Sequence, residues 1–539
     1  MRRVPPPPHL LLRSASIRSL EQAALARTAP GELMTQAASA VADATERLAR
    51  GLPAGTPVHA FCGPGNNGGD ALLAAMLLRE RGFDARAFEL AGACAAANPP
   101  ADSARVREQA ARIGMTPILI DTVDGLREAL APAPLVLDGL FGIGLARPLA
   151  GLAEAFCRLI EEPRDGPGPT VVAIDVPSGI DADTGVVVGG PGAAAVRAAL
   201  TVTMISDKPG LRTGAALDHV GKVLVAPLGV AAAANSLASP PAAPRRPGTL
   251  ADGQLFTRAD AAALLPPRPR DSSKGSYGSV LVVGGAAGMS GAALLAGRAA
   301  QCSGAGKVWI ASPDGPVFDP AQPQLMTRSA EAPFEPRATI VAGCGLGTGP
   351  RAEALLARVL ASGLPAVLDA DALNLLAPLS PPPPDSLPVL TPHPLEAARL
   401  TGSGVADIQA DRIGAACTIA EARRAVVVLK GAGSVVAHPD GRWAILDSGG
   451  PALATAGTGD VLAGLIGGLR AQGLPAWEAA LLGCWAHGHA ADRWTAASGR
   501  AAGLSAARLP ELAAAALAGL QEGPGAPSGN WSRPATPRR

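Results

Sequence analysis

VHAFCGPGNNGGDALLAAMLL, residues 58–78, carries the decision on fold in a single stretch. Val58 to Cys62 is an apolar run of strand length, the glycine cluster from Gly63 to Gly69 is a turn, and the Ala, Leu and Met that follow continue as a helix. A strand fed through a glycine turn into a helix is half of a βαβ unit. The pattern continues downstream in ARAFEL (85–90), PILI (117–120), PLVLDG (134–139) and TVVAIDVP (170–177), separated by Ala/Leu/Arg segments of helical length. Strands that are apolar throughout, and do not alternate, are buried on both faces, as in a parallel sheet covered by crossover helices. The first half is therefore read as α/β.

A second series runs through SVLVVGG (279–285), KVWIAS (307–312), ATIVAGCG (338–345), AVLDAD (366–371), PVLTPH (388–393), AVVVLKG (425–431) and SVVAH (434–438), and ends in Ala-rich helices from about Gly459 to Leu520. This too is α/β. The stretch between the series, AAAANSLASPPAAPRRPGTLADGQ, has no apolar period and reads as a linker. The expected division is a disordered lead at 1–16, a first domain at 17–230, the linker at 231–254, a second domain at 255–521 and a disordered tail at 522–539. LSPPPPDSLP, near 379–388, is an internal Pro-rich loop.

Composition sets the limits. The 539 residues are 48% hydrophobic and 17% charged, enough for two or more cores. A net charge of +1 gives no field for nucleic acid or a membrane surface, so small-molecule partners are expected. Mean hydropathy is +0.24, yet the longest uncharged stretch, Gly275 to Gly297, is too rich in Gly and Ser to span a bilayer. The start, MRRVPPPPHLLLRS, is too broken by Pro for a signal peptide. Seven cysteines without a CxxC suit a reducing cytoplasm, and a homo-oligomer is expected. Lysine is scarce, 5 against 41 Arg; Lys208, Lys274 and Lys430, with the single Tyr277, fall inside the motifs below.

GPGNNGGD satisfies GxGxxG through Gly63, Gly65 and Gly68, with Glu89 at the distance the dinucleotide fingerprint asks. Two features oppose that reading. Asp70 falls in the first helical turn, where it repels a phosphate, and Asn66 and Asn67 put amides in the turn. Amide and carboxylate oxygens suit a hard cation or a hydroxyl-rich ligand. Asp138, Asp175 and Ser178 lie at the ends of later strands, where α/β sheets bind ligands, although strand-end acids also cap helices.

With LDGLFGIGLARP, VVAIDVPSGIDADTG and TVTMISDKPGLRTG following in order, residues 17–230 resemble the NAD(P)H-hydrate epimerase domain, also called the apolipoprotein A-I-binding-protein-like domain. The resemblance implies a Rossmann-like three-layer αβα fold and a potassium ion held by Asn67, Asp138 and Ser178. It implies that Asn66, Asn67, Gly68, Gly69 and Asp70, with Gly142, Ile143, Gly144, Leu145, Ala146, Arg147 and Pro148, line the hydrated nucleotide. Asp175 would be the acid and base. The helix GELMTQAAS departs from the family at Thr35 and Gln36.

In GGPALATAGTGDVLAG (449–464), Gly457, Thr458 and Gly459 expose N–H groups at a helix start and Asp460 follows, an anion hole beside a base. The plain alternative is a glycine loop that only closes a helix. With KGSYGSVLVVGGAAGMSGAALLA (274–296), AGCGLGTG, LDADALN, LTPHPLEAARL and VVLKGAGSVV, residues 256–520 resemble the ADP-dependent NAD(P)H-hydrate dehydratases, with a ribokinase-like α/β fold. The resemblance implies that Ala292, Gly345, Gly347 and His393 contact the hydrate. Lys430, Gly431, Ala432, Gly433, Ser434 and Gly459 would contact ADP or AMP, with magnesium, and Asp460 the reacting hydroxyl. Leu395 stands where the family has Gly.

The expected function is repair of NADH hydrate and NADPH hydrate: epimerisation of the R and S forms, then dehydration of the S form with ADP or ATP, giving AMP and phosphate. Two alternatives stand beside it, a ribokinase-like small-molecule kinase with a regulatory Rossmann-like domain, and a non-catalytic N-terminal binding module. Cys484, His487 and His489 do not share a helix face and read as packing, and Asp181 and Asp183 read as a polar turn.

Overall fold

The computed structural model describes residues 9–92, 99–163, 168–230, 252–376 and 386–521. Residues 1–8 of the expected lead, the Pro-rich loop core, residues 231–251 of the expected linker and the expected tail lie outside the described residues. The described chain packs as two compact units: one holds residues up to Phe256 together with Pro392–Asp447, the other Thr257–Thr391 and the chain from Ser448. Pro392–Asp447 thus packs with the first half, a grouping that linear sequence does not display.

In the first unit, strands Val58–Cys62, Ala85–Leu90, Ile118–Ile120, Leu135–Gly139, Thr170–Ile174, Leu200–Met204 and Lys222–Ala226 form an all-parallel sheet. The chain's first strand in this sheet, Val58–Cys62, lies between Ala85–Leu90 and Leu135–Gly139, so strand order reverses there. A crevice beyond the carboxyl ends of two such strands is where ligands bind. One face packs on helices Ser14–Leu25, Glu32–Ala49, Asn66–Glu80 and Ala101–Arg112, the other on Val123–Leu130 and Leu152–Glu161. That is the expected three-layer αβα.

The same unit holds a second ladder. His9–Leu11 pairs antiparallel with Gly253–Phe256, which runs parallel to Trp443–Leu446, followed by the antiparallel strands Val435–Ala437 and Val426–Leu429. Residues 9–16 are therefore ordered, against the expected disordered lead, and Gly253 and Gln254 are strand where linker was expected. The reason is non-local. His9 Nε2 lies 3.0 Å from Asp207 Oδ2, the Leu12 N–H donates to the Asp207 carbonyl (2.9 Å), and the Arg13 N–H donates to Asp252 (2.8 Å).

In the second unit, Val389–Leu390, Ala366–Leu368, Thr339–Ala342, Ser279–Val283, Lys307–Ser312 and Met326–Ser329 are parallel neighbours in that order. Helices Ser290–Cys302 and Thr458–Ala471 cross so closely that a Cβ at Gly464 would stand 2.1 Å from the Ala296 carbonyl. This approach explains the glycines that thin out an otherwise apolar helix.

Candidate functional site

The strand-order reversal builds the first site. Gly63 and Gly68 let the turn fold onto itself: a Cβ at Gly63 would meet the Leu140 carbonyl at 1.8 Å, and one at Gly68 the Gly63 carbonyl at 2.0 Å. A cavity of about 400 Å³ opens there. Asn66, Asn67, Asp70, Gly142, Ile143, Gly144, Leu145 and Asp175 line it, joined by Glu21, Arg18, Met34 and Asp102. Of the expected lining, Gly68 and Gly69 are buried instead, Gly69 against Met34, while Ala146, Arg147 and Pro148 are exposed outside the cavity. Asp70 is the fifth residue of helix Asn66–Glu80, not in its first turn, because the helix begins at Asn66. Burial, then the Asp175, Glu21 and Asp102 carboxylates, holds its carboxyl well above the ordinary range.

Asp175 follows the strand Thr170–Ile174 with φ +66°, a left-handed conformation that a non-glycine residue adopts at a cost of about 1–3 kcal/mol. Its Oδ1 accepts from Lys208 Nζ (2.7 Å) and from the Met204 N–H (3.1 Å). Lys208 is fully buried, and its Nζ also donates to Thr203 Oγ1 (2.6 Å) and the Met204 carbonyl (3.1 Å). Sequence flagged Lys208 as a rare lysine in a motif but not as the partner of Asp175. Lys274 and Tyr277 join no such site: Lys274 is exposed in a 3-10 turn, and Tyr277 donates to Ser272 under the Arg268 guanidinium.

Behind the cavity, Asp138 is fully buried, accepting from the Ser178 N–H (2.8 Å) and Ser178 Oγ (2.7 Å). Burial pushes its carboxyl up to about 6, with those hydrogen bonds and one from Leu140 opposing. Asn67 Nδ2 is buried without a hydrogen-bond partner, and a Cβ on Gly142 would come within 3.5 Å of Asn67 Oδ1. A buried carboxylate, a hydroxyl and an amide oxygen are a donor set that fits a hard cation.

Glu89 forms an ion pair with Arg107, whose other nitrogen donates to the Gly63 carbonyl (3.0 Å). Arg107 thus occupies the acid a dinucleotide fingerprint would offer to ribose. Thr35 donates back to the Gly31 carbonyl (2.8 Å), and neither it nor Gln36 lines the cavity, so the family departure at these two residues leaves its wall intact.

In the second unit, Gly457 (φ +90°) is the N-cap of helix Thr458–Ala471, placing Gly459 and Asp460 in its first turn. Thr458 Oγ1 donates to the Leu453 and Thr455 carbonyls (2.9 Å each), and His487 Nε2 lies 2.9 Å from the Thr458 carbonyl. Side-chain ligand atoms of Asp460, Asp369 and Cys344 all lie within 4.8 Å of one another. Asp369 accepts from Thr391 Oγ1 (2.7 Å). Gly345 adjoins Ala292, whose Cβ is 3.2 Å from where a Gly345 Cβ would stand, and the Gly347 N–H donates to Asp371 (2.8 Å). Asp369 lies in LDADALN and Cys344 in AGCGLGTG, but their closeness to Asp460 depends on sheet packing and has no sequence signal.

In the first unit, His393 caps helix Pro394–Thr401: its Nδ1 accepts from the Leu395 and Glu396 N–H groups (3.1 and 3.2 Å), and Glu396 accepts from the His393 N–H (2.8 Å). Leu395 stands in an ordinary first helical turn, so the box closes without glycine. Lys430 Nζ is 3.8 Å from Glu396, and Lys430–Ser434 is the hairpin turn between Val426–Leu429 and Val435–Ala437. The packing reading of the late cluster agrees with the structure: Cys484 is buried, His489 stacks on Trp485, and among the described residues the three-residue His/Cys/Asp/Glu grouping with metal-ligand spacing is Cys344, Asp369 and Asp460, which excludes this cluster. Asp181 accepts from Asp183, Thr184 N–H and Thr184 Oγ1 as a turn, and Asp183 accepts from the Ser14 N–H and Oγ.

A strand-end cavity with a tethered carboxylate in one α/β unit, and an acid in a glycine-led helix start in the other, define a two-site enzyme acting on small molecules. A family profile described as YjeF-related protein N-terminus matches residues 30–210, and one described as NAD(P)H-hydrate dehydratase matches 280–512. The chain is 36% identical over 512 residues to the bifunctional NAD(P)H-hydrate repair enzyme of Coxiella burnetii, covering 93% of this chain and 98% of that one. It is 47% identical over 264 residues to the ADP-dependent (S)-NAD(P)H-hydrate dehydratase of Neisseria meningitidis, covering 46% of this chain and 87% of that one. Among solved structures, the ADP/ATP-dependent NAD(P)H-hydrate dehydratase of Bacillus subtilis is 33% identical with TM-score 0.46, covering 49% of this chain and 98% of that one. The chain belongs to the bifunctional NAD(P)H-hydrate repair enzymes.

Proposed function

We propose that the first domain interconverts the R and S forms of hydrated NADH and NADPH in the cavity below Asp175, and that the second dehydrates the S form at Asp460 with ADP or ATP. The observation that carries the reading is Asp175 itself, turned into the cavity by a left-handed backbone and tied to a buried ammonium. Epimerisation needs a group that protonates the departing ring hydroxyl, while the ring nitrogen lone pair assists, and then deprotonates the water that returns on either face; one positioned carboxylate serves both. Asn67, Asp138 and Ser178 would hold potassium, whose charge would favour the ionised Asp138.

At the second site Asp460 takes the proton of the ring hydroxyl, whose oxygen attacks the terminal phosphorus of ADP and releases AMP. The N–H groups at the helix start receive the charge of the transferring group. Loss of inorganic phosphate from the ester and of a proton from the adjacent ring carbon then restores the dihydronicotinamide. Magnesium with ADP would neutralise phosphate charge. Ala292, Gly345, Gly347 and His393 on the hydrate side, and Lys430 to Ser434 with Gly459 on the nucleotide side, complete the proposed contacts.

Family membership supports repair over the kinase alternative, and product analysis separates them: a kinase leaves a stable phosphorylated substrate, whereas repair releases phosphate and NAD(P)H. A cytoplasmic setting and a homo-oligomer belong to the same reading. The six described cysteines, none of them in a disulfide, support the first, and light scattering of the purified chain tests the second. No described helix is long and apolar enough to cross a membrane. The deciding experiment incubates the full chain with NADH hydrate and ADP and follows absorbance: complete recovery of both epimers is expected, recovery of one alone removes the epimerase, and a stable phosphorylated product removes the dehydratase.

A further inference from the structure

Thr213 belongs to the KPGLRTG motif of the first half, yet its side chain faces the turn at 430–434. Its hydroxyl donates to the Gly433 carbonyl (2.8 Å), with the Ala432 carbonyl at 3.1 Å, and accepts from Arg412 Nε (3.1 Å). The Gly214 N–H donates to the Ala432 carbonyl (3.0 Å). Arg412 is 1% exposed and donates through Nη2 to the Leu429 and Lys430 carbonyls (3.3 Å each) and through Nη1 to Gln409 (2.7 Å). Burial alone pulls its pKa down to about 10.

The fit is close from both sides. A Cβ at Gly433 (φ +61°) would stand 2.0 Å from the Arg212 carbonyl, and one at Gly431 (φ +141°) 2.8 Å from the Arg412 guanidinium.

These contacts fix more than a distance. In a planar trans peptide the N–H points opposite to the C=O, and no described peptide here is cis. With the Lys430, Ala432 and Gly433 carbonyls all drawn towards Thr213, Gly214 and Arg412, the N–H groups of Gly431, Gly433 and Ser434 are turned to the other side. Convergent backbone N–H groups in a glycine turn form an anion-binding concavity. The guanidinium directly beneath adds positive charge that a polyphosphate offsets.

Resting on the nucleotide reading of this turn, we propose that Thr213 and Arg412 are positioning residues for the nucleotide: a loop of the epimerase motif sets the backbone of the 430–434 turn and with it the ADP affinity of the dehydratase. Neither residue touches ADP. Replacing the hydroxyl by a methyl group leaves a buried N–H and a carbonyl without their partner and frees the turn to rotate.

ADP titration calorimetry and steady-state dehydration on the full chain test this. Thr213→Val weakens ADP binding and raises the KM for ADP about ten-fold, with kcat at saturating ADP changed by less than about two-fold. Thr213→Ser, which keeps the hydroxyl, restores wild-type affinity. Equal ADP affinity in Thr213→Val and wild type, or a fall in kcat with KM unchanged, overturns the proposal. A wild-type chain that binds no ADP overturns the nucleotide reading itself.

Hydrogen exchange on the wild-type chain decides the matter even if the variants do not fold. ADP is expected to slow exchange at Gly214 together with 430–434; protection of 430–434 with Gly214 unchanged overturns the coupling.

Discussion

Asp175 and Asp460 are both carboxylates at the start of a turn, but their surroundings differ. Asp175 is gripped by Lys208, which is fully buried, and by the Met204 N–H, and its cavity carries three more acids, Glu21, Asp70 and Asp102. Asp460 stands in the first turn of a helix beside glycine N–H groups, where the helix dipole favours negative charge. The first setting suits a proton passed out and back, the second a proton taken once while an anion is stabilised. On the proposed roles, two activities on one substrate call for two kinds of carboxylate environment.

Removing each acid breaks that contrast most sharply. Asp460→Asn is expected to lower ADP-dependent recovery of absorbance by about 10³-fold or more, with ADP binding by calorimetry kept and epimer exchange by chromatography unaffected. Asp175→Asn is expected to slow epimer exchange by about 10²–10⁴-fold while dehydration of the pure S form proceeds. Wild-type exchange in Asp175→Asn would falsify the assignment of this acid.

Lys208→Met probes the tether. Removing one partner of a buried pair costs about 3–5 kcal/mol, so urea unfolding of the first domain should move by that order, a change that Asp460→Asn does not produce. An unshifted midpoint sinks the tether as a stabilising feature.

Asp70 provides the pH test. Its folded-state pKa is raised, so folding favours the protonated acid, and its contribution is fully present below the ordinary carboxylate pKa and is lost as pH rises through the raised value. Asp70→Asn is therefore expected to stabilise the chain at pH 8 and to change its stability little near pH 4. Thermal melts at the two values check the sign. The smallest effect belongs to Leu395→Gly: the side chain is 46% exposed and its backbone is ordinary helix, so a loss of about 1 kcal/mol or less and unchanged kinetics are expected.

The parallel strands and both glycine turns were legible because buried strands and close backbone approaches leave strong local marks. VHAFC and GPGNNGGD alone place the crevice, and GTGD places a helix start. What local sequence does not hold is the company each residue keeps. Lys208 beneath Asp175, Arg107 on Glu89, and Asp369 with Cys344 near Asp460 arise from segments far apart in the chain. Misjudged edges have the same origin. Gly68 and Gly69 share a motif with Asn66 and Asn67, but the helical period turns Gly69 towards Met34 of helix Glu32–Ala49 and packs Gly68 back on the Gly63 backbone. His9–Leu11 looks unstructured after four prolines and becomes strand only beside Gly253–Leu255.

That last pairing also orders events in time. The ribosome makes His9 first, but the strand it pairs with emerges roughly 240 residues later, a delay on the order of 10 to 50 s at ordinary elongation rates. Through that interval the nascent first half carries an unsatisfied strand, so a chain cut at residue 230 should be stickier and harder to express than the intact fusion. Folding of the first unit therefore waits on chain that is synthesised well beyond residue 230.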